Sequence, residues 1–234
     1  MNAIANVFKR FLAAAATVVG LVAAGPLMAD TIAIIGTGNV GGALGPEFAA
    51  QGHTVVYGSR DPSTAEVQTL VARTAGTASA GSPADAVTNA DIVVIAVPGG
   101  AAEEVVRGLG DLSGKIIIDP TNRVAPGDDG FMNHTAETSN AELIQAAAPD
   151  AHVVKAFNTL NYRTMVDPGG PVTIPLAGDN IEAKATVAAL VEGMGLEPVD
   201  VGPLRASHVL EGMLTIWINA ARVEQAFDYH FRRK

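Results

Sequence analysis

Gly36, Gly38 and Gly41 stand at the spacing of a turn that brings bare main chain against a pyrophosphate. They follow the apolar run Thr31-Ile-Ala-Ile-Ile35 and open an alanine-rich helical pattern, so the order is strand, tight turn, helix. Gly36 permits the turn. Gly38 has no side chain to hold the phosphates away, and Gly41 lets the helix pack close to the strand. The helix that opens there aims unbonded N–H groups and the positive end of its dipole at the ligand. A second strand, Thr54-Val-Val-Tyr-Gly58, arrives at the expected distance, so the residues read as a dinucleotide site. A glycine-rich turn without a ligand is the alternative.

The tip of that second strand selects the dinucleotide. A site for the unphosphorylated cofactor places Asp or Glu about 20 residues after the first glycine, where it binds the ribose 2′-hydroxyl. Here the tip reads Gly58-Ser59-Arg60-Asp61-Pro62, a hydroxyl followed by a guanidinium. Ser59 can donate to a 2′-phosphate and Arg60 can pair with it as a charged fork. The cofactor implied is NADP. Asp61 falls one step late for the other assignment.

In an open parallel sheet the ligand lies outside the carboxyl ends of the strands. Four such ends align in order: Gly36-Thr37-Gly38, Ser59-Arg60, Val97-Pro98-Gly99 and Thr121-Asn122, followed by Lys155-Ala156-Phe157-Asn158-Thr159. Asn122 and Asn158 can donate to a carboxamide or a ribose hydroxyl, or can simply form turns. No metalloprotease, serine-hydrolase or paired Cys/His signature is present. Hydride transfer needs none, since the cofactor carries the chemistry and the protein supplies orientation. His134 and His208 are minor candidates for protonating an acceptor. His53 closes a helix and reads as a surface residue, His152 begins a strand, the Asp128-Asp129 pair reads as a solvated turn, and Met213 and Trp217 as core.

These segments resemble a known family. Gly-Thr-Gly-Asn-Val-Gly41, Val-Val-Tyr-Gly-Ser-Arg60, Ala-Val-Pro98, Val-Val-Lys-Ala-Phe-Asn-Thr159 and Ala-Gly-Asp-Asn180 look like the NADPH-dependent deazaflavin (coenzyme F-420) reductases. The cytosolic domains of STEAP-type metalloreductases carry similar motifs. Glu197-Pro-Val-Asp-Val-Gly-Pro-Leu204, followed by a helix with Glu211, fits both. The resemblance runs from about Thr31 to the C-terminus. It implies a Rossmann-like fold and a hydride passed between NADPH and a deazaflavin or flavin-type acceptor. The cofactor-binding positions implied are Gly36, Thr37, Gly38, Asn39, Val40, Gly41, Ser59, Arg60, Val97, Pro98, Asn122, Ala156 and Asn158. No catalytic side chain and no metal ligand is expected. Two features depart from the family, a leader-like N-terminus and Pro46 within the first helix. The rivals are a reductase of a small imine or carbonyl compound, which needs a larger helical domain than the chain after Gly202 supplies, and a non-enzymatic NADP sensor.

Strands and helices alternate along the chain, which predicts an α/β doubly wound parallel sheet. Asp91-Ile-Val-Val-Ile-Ala-Val97 is apolar enough for a central strand buried on both faces. Strands are also expected at residues 115–118, 152–155, 172–177 and 197–201. Pro46 should cost the first helix a hydrogen bond and bend it. Residues 123–134 form the longest irregular stretch. The tail from Leu204 to Phe231 reads as one helical layer over the sheet, or as the contact of a homodimer.

The 234-residue chain has no cysteine, a formal net charge of −9 and 48% hydrophobic residues. Such a composition supplies a full core, excludes disulfides and disfavours a nucleic-acid partner. Residues 1–29 read as a signal peptide: Lys9 and Arg10, an apolar run from Phe11 to Gly25, and the small residue Ala29 before Asp30. The mature domain would then be 30–234, exported to the periplasm. An uncleaved inner-membrane anchor is the alternative, although the run falls short of the roughly 20 residues of a bilayer span.

Overall fold

The computed structural model describes residues 29–134 and 137–232, so the expected leader, except Ala29, lies outside the described residues. The chain begins β1 (Thr31–Ile35), α1 (Asn39–Ala50), β2 (Thr54–Gly58), α2 (Ala65–Arg73), β3 (Ser79–Gly81), α3 (Pro83–Val87) and β4 (Ile92–Ile95). It continues with α4 (Ala102–Arg107), β5 (Ile116–Asp119), a small hairpin of β6 (Ala125–Pro126) and β7 (Met132–Asn133), α5 (Asn140–Ala147) and β8 (His152–Lys155). Then follow α6 (Tyr162–Val166), β9 (Thr173–Gly178), α7 (Ile181–Gly193), β10 (Glu197–Asp200) and α8 (Ser207–Arg222).

Eight strands form one sheet in the order β10-β9-β8-β5-β4-β1-β2-β3. From β3 to β8 every neighbouring pair is parallel. The order reverses between β1 and β4, which opens a crevice at their carboxyl ends. Side chains of β1 alternate between two cores. Ile32 and Ile34 pack with Leu44, Phe48 and Val187 on one face, while Ala33 and Ile35 pack with Val106, Leu109 and Ile144 on the other. Both β1 and β4 are almost wholly buried, as their unbroken apolar sequences require.

The all-parallel expectation fails at one edge. β9 runs antiparallel to β8, with Lys155 opposite Ala177 and Val154 opposite Gly178, and β10 follows β9 in parallel. The cause is the connection. α6 has five residues, about 7.5 Å of rise, too short to carry the chain back to the amino edge. β9 therefore starts on the carboxyl side and descends. α7, with 13 residues or about 20 Å, makes the full return.

The tail also departs from expectation. α8 ends at Arg222 in a left-handed cap at Glu224 (φ 60°), with Gln225 N–H donating to Ala220 O and Glu224 N–H to Ala221 O. Residues 223–232 then run without helix to β9. There Thr173 N–H donates to Tyr229 O at 2.8 Å and Phe231 N–H to Thr173 Oγ1 at 2.7 Å.

Pro46 lies within α1, and the helix continues through it. A proline at this position leaves the Gly42 carbonyl without its helical donor. Arg73, from the last turn of α2, fills the gap with Nη2 at 2.9 Å from that oxygen. One turn on, Gly45 lets α1 sit directly against the Tyr57 hydroxyl, where a Cβ would collide. Replacing Arg73 with Met should lower stability by about 1 kcal/mol in urea titration, since the bond is charge-assisted but exposed. In a Pro46→Ala background, where residue 46 regains its N–H, the same replacement should cost clearly less.

Candidate functional site

A cavity of about 460 Å³ lies outside the carboxyl ends of β1, β2 and β4. Seven of the expected residues line it together: Gly36, Thr37, Gly38, Ser59, Arg60, Val97 and Pro98. Its remaining walls are small or apolar, and no carboxylate contributes.

The glycines act as their spacing predicts. Gly36 has φ +108°, and a Cβ there would strike the carbonyl of Ala96. Its N–H donates to Gly58 O at 3.0 Å, which joins the turn to the end of β2. A Cβ on Gly41 would strike the carbonyl of Gly36, so the first turn of α1 closes down on the loop. Gly38 is the opposite case, because a Cβ there would meet nothing within 4 Å. That open space faces the start of α1, where no side chain caps the helix and no acid occupies the first turn. The N–H groups of Asn39, Val40 and Gly41 precede the first helical bond, from Gly42 N–H to Gly38 O. A phosphate fits this cradle on charge and on space. The Val40 side chain is half-buried and packs on the core, so its place in the site is its main chain.

At the tip of β2, Ser59 and Arg60 reach the cavity, whereas Asp61 does not line it. The Asp61 carboxylate accepts from Ser63 Oγ at 2.6 Å and from Ser63 N–H at 3.0 Å. Those two donors hold it below the ordinary aspartate range. Arg60 makes no ion pair among the described residues. An unpaired guanidinium at the rim of a carboxylate-free cavity fits a 2′-phosphate.

Asn122 and Asn158 sit further along the carboxyl edge, beyond the ends of β5 and β8. They bond to each other: Asn158 Nδ2 donates to Asn122 Oδ1 at 3.0 Å, and Asn122 Nδ2 to Asn158 O at 3.3 Å. Asn158 Nδ2 also donates to Leu210 O at 2.8 Å. Since a carbonyl can only accept, Leu210 fixes which way the Asn158 amide points. Both Asn158 hydrogens are therefore used. The atom it offers a ligand is the buried acceptor Oδ1, which has no partner among the described residues. The expectation that Asn158 donates is corrected on this ground. Phe157, just before it, is buried with φ 62°, a strained backbone for a bulky residue. Ala156 is fully buried, gives its N–H to Asp119 O at 3.2 Å and does not line the cavity.

Under this edge lies a charged cluster that joins Lys155 and Glu211, both within the quoted motifs, to Asp119. The Lys155 ammonium, with no exposed surface, donates to Asp119 Oδ2 at 2.6 Å, to Thr121 O at 2.7 Å and to Glu211 Oε1 at 2.6 Å. Asp119 Oδ1 accepts from Thr121 N–H and hydroxyl. Glu211 accepts Asn140 N–H at 2.8 Å on Oε1 and Arg123 N–H at 2.9 Å on Oε2. Asn140 Nδ2 bridges Gly99 O and Thr121 Oγ1. The available signal was a lysine closing an apolar, buried strand, a position that demands a partner.

His134 and His208, far apart in sequence, meet with ring centroids 4.5 Å apart and ring planes tilted by 58°. His134 Nδ1 lies 2.8 Å from Arg123 O, which places the pair beside the loop after Asn122. Burial pushes the nearby Glu142 carboxyl up. The N–H and hydroxyl of Ser139, the Thr138 hydroxyl and His208 more than reverse this, and the net direction is down. Residues 123–134, read as irregular, are in fact clipped to α8, with the Asn219 amide bonding both N–H and O of Met132. Asp129 Oδ1 accepts Phe131 N–H in the hairpin turn.

Known proteins share this arrangement. Residues 31–123 match the family described as NADP oxidoreductase, coenzyme F420-dependent. The F420-dependent NADP reductase of Methanothermobacter thermautotrophicus is 26% identical over 208 residues, covering 82% of this chain and 90% of that protein. Rat metalloreductase STEAP3 is 30% identical over 200 residues, covering 83% of this chain, and the chain spans only 38% of that protein's length. A crystal structure of an Arthrobacter protein, assigned provisionally as an F420-dependent NADP reductase, superposes with a TM-score of 0.76 at 29% identity over 87% of this chain and 98% of that one. A reductive aminase of Aspergillus terreus, at 17% identity and a TM-score of 0.63, shares the fold. With its glycine turn and its cavity in agreement, residues 31–123 belong to the F420-dependent NADP oxidoreductase family, whose members bind NADP(H) and which is related to the STEAP metalloreductases.

Proposed function

We propose that this protein transfers a hydride between NADPH and a deazaflavin or flavin-type acceptor. The observation that carries the cofactor half is the unpaired Arg60 beside Ser59, at the rim of a cavity that no carboxylate lines. The acceptor half rests on likeness to the archaeal reductase. When bound, the nicotinamide supplies the hydride. The chain's own residues cradle phosphate at Gly36 to Gly41, hold the 2′-phosphate at Ser59 and Arg60, and present the buried Oδ1 of Asn158 to a ligand N–H or O–H. Apolar Val97 and Pro98 narrow the crevice and help keep water out. No side chain need act as acid or base for such a step.

The imine-reductase reading has only structures of 16–17% identity beside it, and these share the fold alone. We also propose export after removal of residues 1–29. β1 begins at Thr31, so this cleavage takes nothing from the sheet. Val209 and Ile216, seven residues apart on α8, and Val223 just beyond its end are exposed, which supports a contact with a second copy there.

Addition of a deazaflavin or flavin should give steady NADPH oxidation. Binding without oxidation across deazaflavins, flavins and ferric chelates would make the protein a sensor. Arg60→Ala should weaken NADPH by about 1.5–3 kcal/mol and leave NADH nearly unchanged in calorimetric titrations. Equal losses for both would contradict the NADP assignment. Gly38→Ala should fold with an unchanged melting temperature yet bind NADPH at least about tenfold more weakly. Gly36→Ala should instead lose stability, because its φ and the Ala96 carbonyl both forbid a Cβ.

A further inference from the structure

Glu211 sits on α8, which contributes no residue to the 460 Å³ cavity, yet its side chain is fully buried under the carboxyl edge of the sheet. Its two oxygens hold three donors from three different segments. Oε1 takes the Lys155 ammonium from β8 and the N–H of Asn140 at the start of α5. Oε2 takes the N–H of Arg123, the residue after Asn122. The peptide next to Glu211 does related work, since Leu210 O receives Asn158 Nδ2. One turn of α8 therefore anchors both asparagines, one through the Arg123 N–H and the other directly. Lys155 closes the loop by holding Thr121 O, on the other side of Asn122.

The adenosine side of the crevice is built separately. Gly36, Gly38, Ser59 and Arg60 belong to β1, β2 and the loops that follow them, and among the described residues no hydrogen bond links them to Glu211. The two halves of the site thus rest on different supports, and a fault in one need not reach the other. Resting on the NADP reading above, we propose that Glu211 is a positioning residue that sets the nicotinamide end of the site by fixing Asn122 and Asn158, without touching the ligand.

Glu211→Gln keeps shape and volume but puts an amide where one carboxylate oxygen was. At Oε1 that amide would face an ammonium and an N–H, so it is best placed at Oε2, where it meets the Arg123 N–H donor to donor. The contact with Arg123 is then lost. The test compares wild type and Glu211→Gln by three measurements: affinity for adenosine 2′,5′-bisphosphate, fluorescence of bound NADPH, which reports on the nicotinamide, and hydrogen exchange at the Arg123 amide in the free protein. The expected result is an adenosine bisphosphate affinity within about twofold of wild type, NADPH at least about tenfold weaker with altered fluorescence, and faster exchange at Arg123. Unchanged NADPH fluorescence and affinity would overturn the proposal. So would a parallel loss for both ligands, the mark of a purely structural role. If wild type itself binds neither ligand, the NADP reading falls instead. Should Glu211→Gln fail to fold, Glu211→Asp, which keeps the charge but shortens the reach to the Arg123 N–H, carries the same comparison.

Discussion

The carboxyl edge of this sheet is organised around one buried ammonium. Lys155 has no contact with water, and taking a charge out of water costs several kcal/mol. The cost is offset because each of its three protons meets an oxygen, from Asp119, Thr121 and Glu211. Two carboxylates against one ammonium would leave a buried negative charge in excess. That excess is spread over further donors, the N–H and hydroxyl of Thr121 and the N–H groups of Arg123 and Asn140. A network so fully satisfied admits few alternative arrangements. It is also brittle, because removing one member of a buried pair leaves the other uncompensated.

That rigid edge adjoins a contrasting region. The cavity beside β1, β2 and β4 has a main-chain cradle, small apolar walls and a single exposed cation at its rim. The cradle works by omission: Gly36 and Gly41 have no Cβ to collide with, and Gly38 leaves open space. Binding of a doubly charged phosphate there needs only oriented N–H groups and one guanidinium, whose cost in water is small. The site thus joins an exposed electrostatic hook to a dry, preset floor. This suits a reaction in which orientation, and not proton transfer, is the task of the protein.

The reversal at the sheet edge serves the same region. A short α6 keeps the chain on the carboxyl side after β8, so Phe157, Asn158 and Thr159 stay buried at that edge. α8 then crosses that side and delivers Glu211 and Leu210 to the loops beneath it. The extended tail returns over the start of β9, with Tyr229 donating to Met213 O of α8. The last third of the chain therefore acts as a brace for residues that the first two thirds supply.

Much of this was legible in the residue string. Gly36, Gly38 and Gly41, the Ser59-Arg60 tip and the unbroken apolar run of β4 each carry their meaning locally, since a turn, a strand tip and a buried strand depend on neighbours within a few residues. The direction of β9 was not legible, because apolar pattern is blind to polarity and only the reach of α6 decides it. Nor was the end of α8 at Arg222, where a non-glycine residue, Glu224, adopts the left-handed cap. The contact of His134 with His208, the clasp of Lys155 by Asp119 and Glu211, and the spent hydrogens of Asn158 all join residues from 36 to 74 positions apart. Sequence alone determined the local chemistry of the dinucleotide turn and the class of fold. Tertiary structure decided which polar groups remain free to meet a ligand, because a donor is available only if no distant acceptor has already claimed it.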